Sequence, residues 1–178
     1  MVEGWAGFVQ NYLVNNVHGD TTIYNACEHG AIIGPDGTVW ASTQGFELKT
    51  NTKIKVAKED GSEEEITISS ELDHIVDAVK NEGDTKKMKK GGVHFLGKKW
   101  VVLDGFSGEG YRTQYFRREG GGAAATVTDK NVTVIATWAA ENKAVTLKGD
   151  VQKEVKQCVG FCNNAVDDLS KVVAQVEI

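Results

Sequence analysis

Several kinds of residue are scarce in this chain of 178 amino acids, which contains one proline and three cysteines. A small, odd number of cysteines argues against a disulfide framework and favours a reducing compartment such as the cytosol. No apolar run approaches the roughly 20 residues that span a bilayer. Glu3 and Trp5 stand where a signal peptide would have basic residues and an apolar core. We therefore expect a soluble, globular protein that is not secreted.

Catalytic and metal-binding patterns are scarce as well. Cys158 and Cys162 lie four residues apart, and Cys27 with His29 would add two ligands, but zinc sites usually show two tighter pairs. The glycines at 120–122 lie between predicted strands, so a bend in a strand explains them better than a phosphate loop. None of the four histidines has the neighbours typical of a catalytic triad. The sequence predicts no enzyme, no catalytic residue, no metal site and no cofactor.

Charge is unevenly distributed along the chain, whose formal net charge is −5. Residues 86–118 hold nine lysines or arginines against two acidic residues, a local surplus of seven positive charges. This asymmetry predicts a basic surface for an acidic partner. A solvated sheet edge protected by lysines would give the same pattern. We expect a protein partner and no nucleic acid.

The first fourteen residues carry an unusual apolar load. Trp5, Phe8, Val9, Tyr12 and Leu13 recur at the spacing of one helical stripe, and three of the five are aromatic. A chain end frays unless something holds it. We therefore expect a helix docked on a sheet, with the rings at positions 5 and 8 exposed as a binding platform. The alternative is that the whole stripe is core, which is the commoner fate of such stripes.

The rest of the pattern alternates short strands, tight turns and two further helices. A Pro-Asp-Gly turn predicts a hairpin over residues 30–42, and residues 45–68 read as a second, exposed hairpin. A helix capped by Ser69 or Ser70 runs to about Asn81. Later strands joined by tight turns predict an antiparallel meander. This order is typical of an α+β layered domain with helices at both ends.

The last forty residues predict a surface excursion and then a helix. Residues 139–160 are polar and poorly patterned, so we interpret them as a surface excursion. Asn163 or Asn164 is expected to cap the final helix, with Asp167 and Asp168 near its positive end. No repeat or linker is visible, and turns are regularly spaced. The sequence therefore predicts a single domain over residues 1–178.

Three segments, taken together, resemble the profilin family of small actin-monomer-binding proteins. They are the opening helix at residues 4–8, the hairpin at 30–42, and residues 160–169, which are similar to the plant-type form of the family's terminal helix. The motifs Gly97-Lys98-Lys99 and Gly121-Gly122-Ala123 fall in the expected order. The resemblance covers nearly the whole chain except two stretches, about 47–65 and 139–157, which look like insertions. It suggests a divergent profilin, of a protist or archaeal kind.

The resemblance implies both a fold and a function. The fold would be a central antiparallel sheet of about seven strands, with the N- and C-terminal helices packed on one face and a further helix on the other. The function would be to bind monomeric actin one-to-one, restrain its spontaneous nucleation and deliver it to growing filament ends. Such a protein would be a monomer and would belong to the cytoplasmic actin cytoskeleton.

The resemblance also implies two binding surfaces, residue by residue. Its actin-binding positions are Lys89, Lys90, Lys99, Arg117, Arg118, Asn163, Asn164, Asp167 and Asp168. Its polyproline-binding positions are Trp5, Phe8, Trp40, Val172, Val173 and Ile178. The basic positions would also serve for phosphoinositides.

The polyproline positions depart from the family pattern. Phe8 replaces the usual tyrosine, Val172 replaces an aromatic residue or histidine, and Ile178 replaces the terminal tyrosine of some members. Each lost hydroxyl removes a hydrogen bond that contributes roughly 0.5–1.5 kcal/mol. We therefore expect a weakened groove for proline-rich proteins.

Two other functions remain open from the residues alone. One is a scaffold module of the longin or roadblock kind, unrelated to actin. The other is a ligand-sensing domain of the PAS kind, which would need an internal cavity. A filled core with exposed Trp5 and Trp40 favours a profilin, whereas a sealed tryptophan pair beside a central pocket favours a sensor.

Overall fold

A computed structural model describes residues 2–81 and 93–176 of the chain. Its first helix, α1 (Val2–Phe8), continues directly into a π-helical segment (Val9–Val14). Two further helices follow in the described residues, α2 (Glu71–Lys80) and α3 (Val159–Gln175). The predicted helix end at about Asn81 is confirmed, because α2 ends at Lys80 with Asn81 as its C-cap.

The largest sheet is antiparallel throughout. Its seven strands are β3 (His29–Ile33), β4 (Val39–Ser42), β7 (Val93–Phe95), β8 (Lys98–Gly108), β9 (Tyr111–Arg118), β10 (Gly121–Thr128) and β11 (Thr133–Ala139). They are ordered β4-β3-β11-β10-β9-β8-β7 across the sheet. The predicted meander and the hairpin at 30–42 are therefore confirmed. The pairing also places the glycines at 120–122. Gly120 lies in the turn between β9 and β10 with φ of +70°, and Gly121 and Gly122 are the first residues of β10.

Two smaller sheets complete the described residues. A four-stranded antiparallel sheet contains β1 (Asn15–His18), β2 (Thr21–Tyr24), β12 (Lys143–Lys148) and β13 (Val151–Lys156), in that order across the sheet. A separate two-stranded hairpin contains β5 (Thr50–Ala57) and β6 (Glu63–Ser70). The exposed hairpin predicted for residues 45–68 is confirmed.

Side chains of the central sheet alternate between two core clusters, because successive residues of a strand face opposite sides. On β11, Val134 and Ala136 join a cluster that includes Leu13 of the π-helical segment and Leu169 of α3. Ile135, between them, belongs to the second cluster, which includes Ile75 and Val79 of α2. The terminal helices therefore pack on one side of the sheet and α2 on the other.

The surface excursion predicted for residues 139–160 contains regular structure that the sequence did not predict. These residues form β12 and β13 and then enter α3. Strand β12 pairs with β2, with Tyr24 opposite Val145, and so extends the hairpin that follows the first helix. Ala144 is fully buried while its neighbour Lys143 is exposed. The rest of β12 does not alternate, since its middle residues are all half-buried, and the sequence therefore carries no clear strand pattern there.

The predicted start of the last helix is wrong. Helix α3 begins at Val159, and its N-cap Cys158 lies five to six residues before the expected asparagine caps. The earlier start puts Cys162 on the buried side of the helix. Asp167 and Asp168 consequently lie in the middle of α3, where the charge of the helix N-terminus no longer reaches them.

The base of the β5–β6 hairpin is held by one buried carboxylate. Ser70 caps α2 by accepting a hydrogen bond from the Asp73 N–H at 3.2 Å, which confirms the predicted cap. Glu71, 1% exposed, accepts hydrogen bonds from the backbone N–H groups of Lys49 at 2.8 Å and Gly97 at 3.5 Å. One side chain thus joins the hairpin, α2 and the turn between β7 and β8.

We predict that Glu71→Ala lowers the free energy of unfolding by about 1–3 kcal/mol, because two backbone donors lose their buried acceptor. Glu71→Gln keeps one acceptor oxygen and should lose less. Urea unfolding followed by circular dichroism measures both. Equal stability of the alanine variant and the wild type would contradict this role for Glu71.

Candidate functional site

An aromatic surface lies where the first helix crosses β4. The ring centroids of Trp5 and Trp40 are 4.8 Å apart at 34°, and that of Phe8 lies 5.7 Å from Trp5 in an edge-to-face arrangement. Tyr12 continues the row, 6.1 Å from Phe8. All four side chains are half-buried and pack on the core cluster of the terminal helices. Each therefore contributes to the core and leaves part of its ring in contact with solvent.

Gly34 fixes the position of Trp40. A Cβ atom at residue 34 would lie 2.6 Å from two atoms of the indole ring, so the ring rests directly on the strand backbone. Of the predicted polyproline positions on the last helix, Val172 is half-buried, whereas Val173 is 1% exposed and belongs to the core. The prediction that Val173 contacts a ligand is therefore wrong, since α3 turns that side chain onto the sheet. Ile178 lies outside the described residues.

The second candidate surface lies at the start of α3 and is called here the α3-start surface. It combines exposed apolar side chains with cations, and Asn163 lines its groove. Val101, Leu103 and Val159 are 50%, 42% and 53% exposed, an unusual concentration of solvent-facing aliphatic groups. Its members are Lys99, Val101, Leu103, Tyr115, Arg117, Val159 and Asn163.

Strand register decides which predicted cations belong to this surface. Phe116 packs in the α2-side cluster and Tyr115 on the α3-side cluster. Arg117 therefore shares a face with Tyr115, and Arg118 shares the opposite face with Phe116. By the same alternation Lys99, next to the buried Trp100, faces the α3 side. Asp104 lines the far end of the groove, and it is the acidic side chain among the groove's lining residues.

Arg118 is engaged within the chain. Its guanidinium lies 5.6 Å from the centre of the Trp100 ring and 3.9 Å from the Glu28 carboxylate, and its side chain is only 16% exposed. Glu28 also accepts a hydrogen bond from the Asn142 amide at 3.0 Å. Within the chain, Arg118 stabilises the end of the sheet and its junction with the β12–β13 hairpin, which makes it a weaker candidate for a partner contact than Arg117.

The two predicted aspartates of α3 also have partners within the chain. Asp167 accepts a hydrogen bond from the Tyr111 hydroxyl at 3.1 Å and forms an ion pair with Lys171 at 3.1 Å. Asp168 lies 3.7 Å from His18 of β1. These contacts hold α3 to the two sheets. Asn164 is half-buried, and the predicted Lys89 and Lys90 lie outside the described residues.

The cysteines considered as zinc ligands lie mostly inside the protein. Cys27 and Cys162 are both buried in the α3-side cluster. A hydrogen bond with Cys27, together with burial, raises the pKa of the Cys162 thiol well above its ordinary value, so this group stays protonated. Among residues 2–81 and 93–176, no group of three or more His, Cys, Asp or Glu side chains could hold a metal ion. Across that same part of the chain, no helix has the length and apolar character to cross a membrane.

The seven-stranded antiparallel sheet between helices, with an aromatic surface over the chain's first helix, defines an α+β domain of a recognisable class. The chain belongs to the profilin family, whose model matches residues 3–176. This confirms the resemblance drawn from the three sequence segments and decides against the longin, roadblock and PAS alternatives. Profilins as a family are actin-binding regulators and not enzymes.

Comparison with solved structures finds a similarity to profilin II of Acanthamoeba castellanii. The two share 18% sequence identity over 84% of this chain and 86% of the Acanthamoeba chain, with a TM-score of 0.46. A comparison with curated proteins gives no match.

The contact between Tyr111 and Asp167 makes stability depend on pH in the alkaline range. Burial and the neighbouring Asp167 carboxylate raise the pKa of Tyr111 to about 12, against about 10 in an unfolded chain. Losing the proton is therefore harder in the folded state. The stabilisation is complete below pH 10 and is lost as the pH rises from about 10 to about 12.

We predict that Tyr111→Phe is less stable than the wild type near neutral pH and that this difference shrinks above about pH 10. Urea unfolding between about pH 8 and about pH 11 measures the difference. Tyr24→Phe, at an exposed tyrosine of β2, serves as the matched control and should show no such convergence. A constant difference between Tyr111→Phe and the wild type over this range would contradict the prediction.

Proposed function

We propose that this profilin binds monomeric actin one-to-one, restrains its spontaneous nucleation and delivers it to growing filament ends. The observation that carries the proposal is the α3-start surface, where three exposed aliphatic side chains lie beside Lys99 and Arg117. Membership of an actin-binding family supports it independently. Any effect on nucleotide exchange would come from binding one conformation of actin better than another.

The composition of the surface fits a protein interface. Interfaces have an apolar centre, which supplies most of the affinity, and a polar rim. Here Val101, Leu103 and Val159 would form the centre. Lys99 and Arg117 would attract an acidic partner and speed encounter, although single rim pairs add little affinity. Asn163 would add a hydrogen bond from the first turns of α3.

The proposed contact set is narrower than the one the resemblance implied. Lys99, Arg117 and Asn163 keep their assignment. Arg118 and Asp167 are assigned structural roles because each is paired with an opposite charge within the chain, and Asp168 is assigned one because it lies 3.7 Å from His18 of β1. Lys89 and Lys90 stay predictions, as do phosphoinositide binding by the basic residues, a monomeric state and a location in the cytoplasmic actin cytoskeleton.

We predict that the double variant Lys99→Glu, Arg117→Glu weakens actin binding by at least about tenfold, because it places two like charges against an acidic partner. In a pyrene-actin assembly assay, wild type should lengthen the lag, and the variant should restore the lag of actin alone. Lys58→Glu, Lys153→Glu is the matched control, with the same change of charge at exposed positions in the β5–β6 turn and on β13. Assembly unchanged by the wild type would refute the proposed function.

A second, weaker activity is proposed for the aromatic surface. Trp5, Phe8 and Trp40 would stack on a proline-rich peptide in the polyproline II conformation, with Val172 at the edge of the groove. The surface lacks the hydroxyl of the usual tyrosine at position 8. Tyr12, which is not among the polyproline positions that the family resemblance implied, supplies a hydroxyl one helical turn further along.

We expect titration with a proline decamer to change the tryptophan fluorescence with a dissociation constant on the order of 1 mM. Trp40→Ala should remove the saturable change, and a Gly-Ser decamer is the control peptide. A flat trace at millimolar proline peptide would rule out this groove while leaving the actin proposal intact.

A further inference from the structure

One row of residues crosses four neighbouring strands of the central sheet. Val101 of β8 pairs with Arg117 of β9, Arg117 with Gly122 of β10, and Gly122 with Trp138 of β11. Residues paired in this way point to the same face of a sheet. Arg117 and Trp138 both lie on the α3 side, since Trp138 packs on the α3-side cluster. The row thus continues the α3-start surface across the sheet to β11.

The row lies just beyond the cover that α3 provides. In the next row, Ala124 of β10 pairs with Ala136 of β11, and both are fully buried. The Cys162 thiol, one turn into α3, donates to the Ala136 carbonyl at 3.4 Å. Two residues further along β11, Trp138 is only half-buried. Its indole is therefore partly covered by the α3-side cluster and partly open to solvent.

Gly122 provides the place where this indole rests. A Cβ atom at residue 122 would lie 2.5 Å from the Trp138 Nε1 atom and 3.1 Å from Cε2. The ring therefore lies against the backbone of β10 and extends from its own strand towards Arg117. Gly121 does the same on the opposite face, where a Cβ atom would lie 3.1 Å from the Arg118 guanidinium carbon. Two adjacent glycines thus accommodate two large side chains, one on each face.

We propose that the Trp138 indole is an anchor of the actin-binding surface, held by Gly122 beside the Arg117 guanidinium. The occupant is the actin monomer, through an acidic area that also carries an apolar group able to cover the ring. This inference rests on the proposed function and adds a residue that the family resemblance did not assign. A stiff ring, already ordered before binding, loses little conformational entropy when a partner covers it. Tryptophan and arginine are the residues in which binding energy most often concentrates.

The test measures the dissociation constant for monomeric actin by titration calorimetry with full-length variants. Trp138→Ala should weaken binding about 20-fold or more, the size typical of a tryptophan anchor. Trp138→Phe keeps an apolar ring and should weaken binding about threefold to fivefold. Phe106→Ala is the matched control, because Phe106 is an exposed aromatic residue of β8 outside the row, and it should bind as the wild type does. Thermal unfolding verifies that each variant is folded, and the phenylalanine variant decides the matter if the alanine variant is not.

The outcomes separate this inference from the function on which it rests. Loss of binding in both Trp138→Ala and the Lys99→Glu, Arg117→Glu variant supports the inference. Loss in the charge variant alone, with the folded Trp138 variants within twofold of the wild type, overturns the anchor and leaves the actin proposal standing. A wild type that does not bind actin overturns both.

Discussion

Close packing of helices against both faces of strand β10 is the constraint on which the rest of the structure depends. All eight residues of this strand are buried, and its first five are glycine or alanine. Small side chains let α3 approach one face and α2 the other without leaving voids, as a close-packed interior requires. Gly121 and Gly122 at the start of the strand allow the closest packing, because large side chains from β9 and β11 lie directly on the backbone there.

The same strand explains why two adjacent arginines have different roles. Arg117 and Arg118 are neighbours in sequence, but the pleat sends them to opposite faces. Arg118 meets the Trp100 ring and the Glu28 carboxylate, and so connects the central sheet to the hairpin formed by residues 143–156. Arg117 faces solvent at the start of α3. Arg118 therefore stabilises the fold, whereas Arg117 is available to a partner.

Sequence patterns predicted the parts of the fold that depend on local signals. The Pro-Asp-Gly turn, the Ser70 cap and the tight turns of the meander each act over a few residues, and all were found where expected. The four-stranded sheet was missed because Tyr24 and Val145, which pair in it, are far apart in the chain. No local sequence pattern predicts such a pairing. The start of α3 was misplaced because good capping residues, Asn163 and Asn164, lie inside the helix, where burial of Cys162 determined the outcome.

The candidate sites were predicted by residue type and corrected by orientation. Trp5, Phe8 and Trp40 could be grouped from helical spacing and the family resemblance. Nothing in the sequence separated Val172 from Val173, or Arg117 from Arg118, because that depends on the rotation of a helix and the register of a strand. Trp138 gave no signal either, since the glycine on which its ring rests lies sixteen positions earlier, on the neighbouring strand.

The hairpin of β5 and β6 is tied to the domain chiefly at its base, where Glu71 gathers three backbone segments. Lengthening a connection costs only about 0.6 kcal/mol for each doubling. A descendant of this protein could therefore shorten, extend or replace the hairpin between residues 50 and 70 while keeping the same core. The hairpin can therefore vary in length and sequence at little cost in stability, because the Glu71 carboxylate holds its base to the domain.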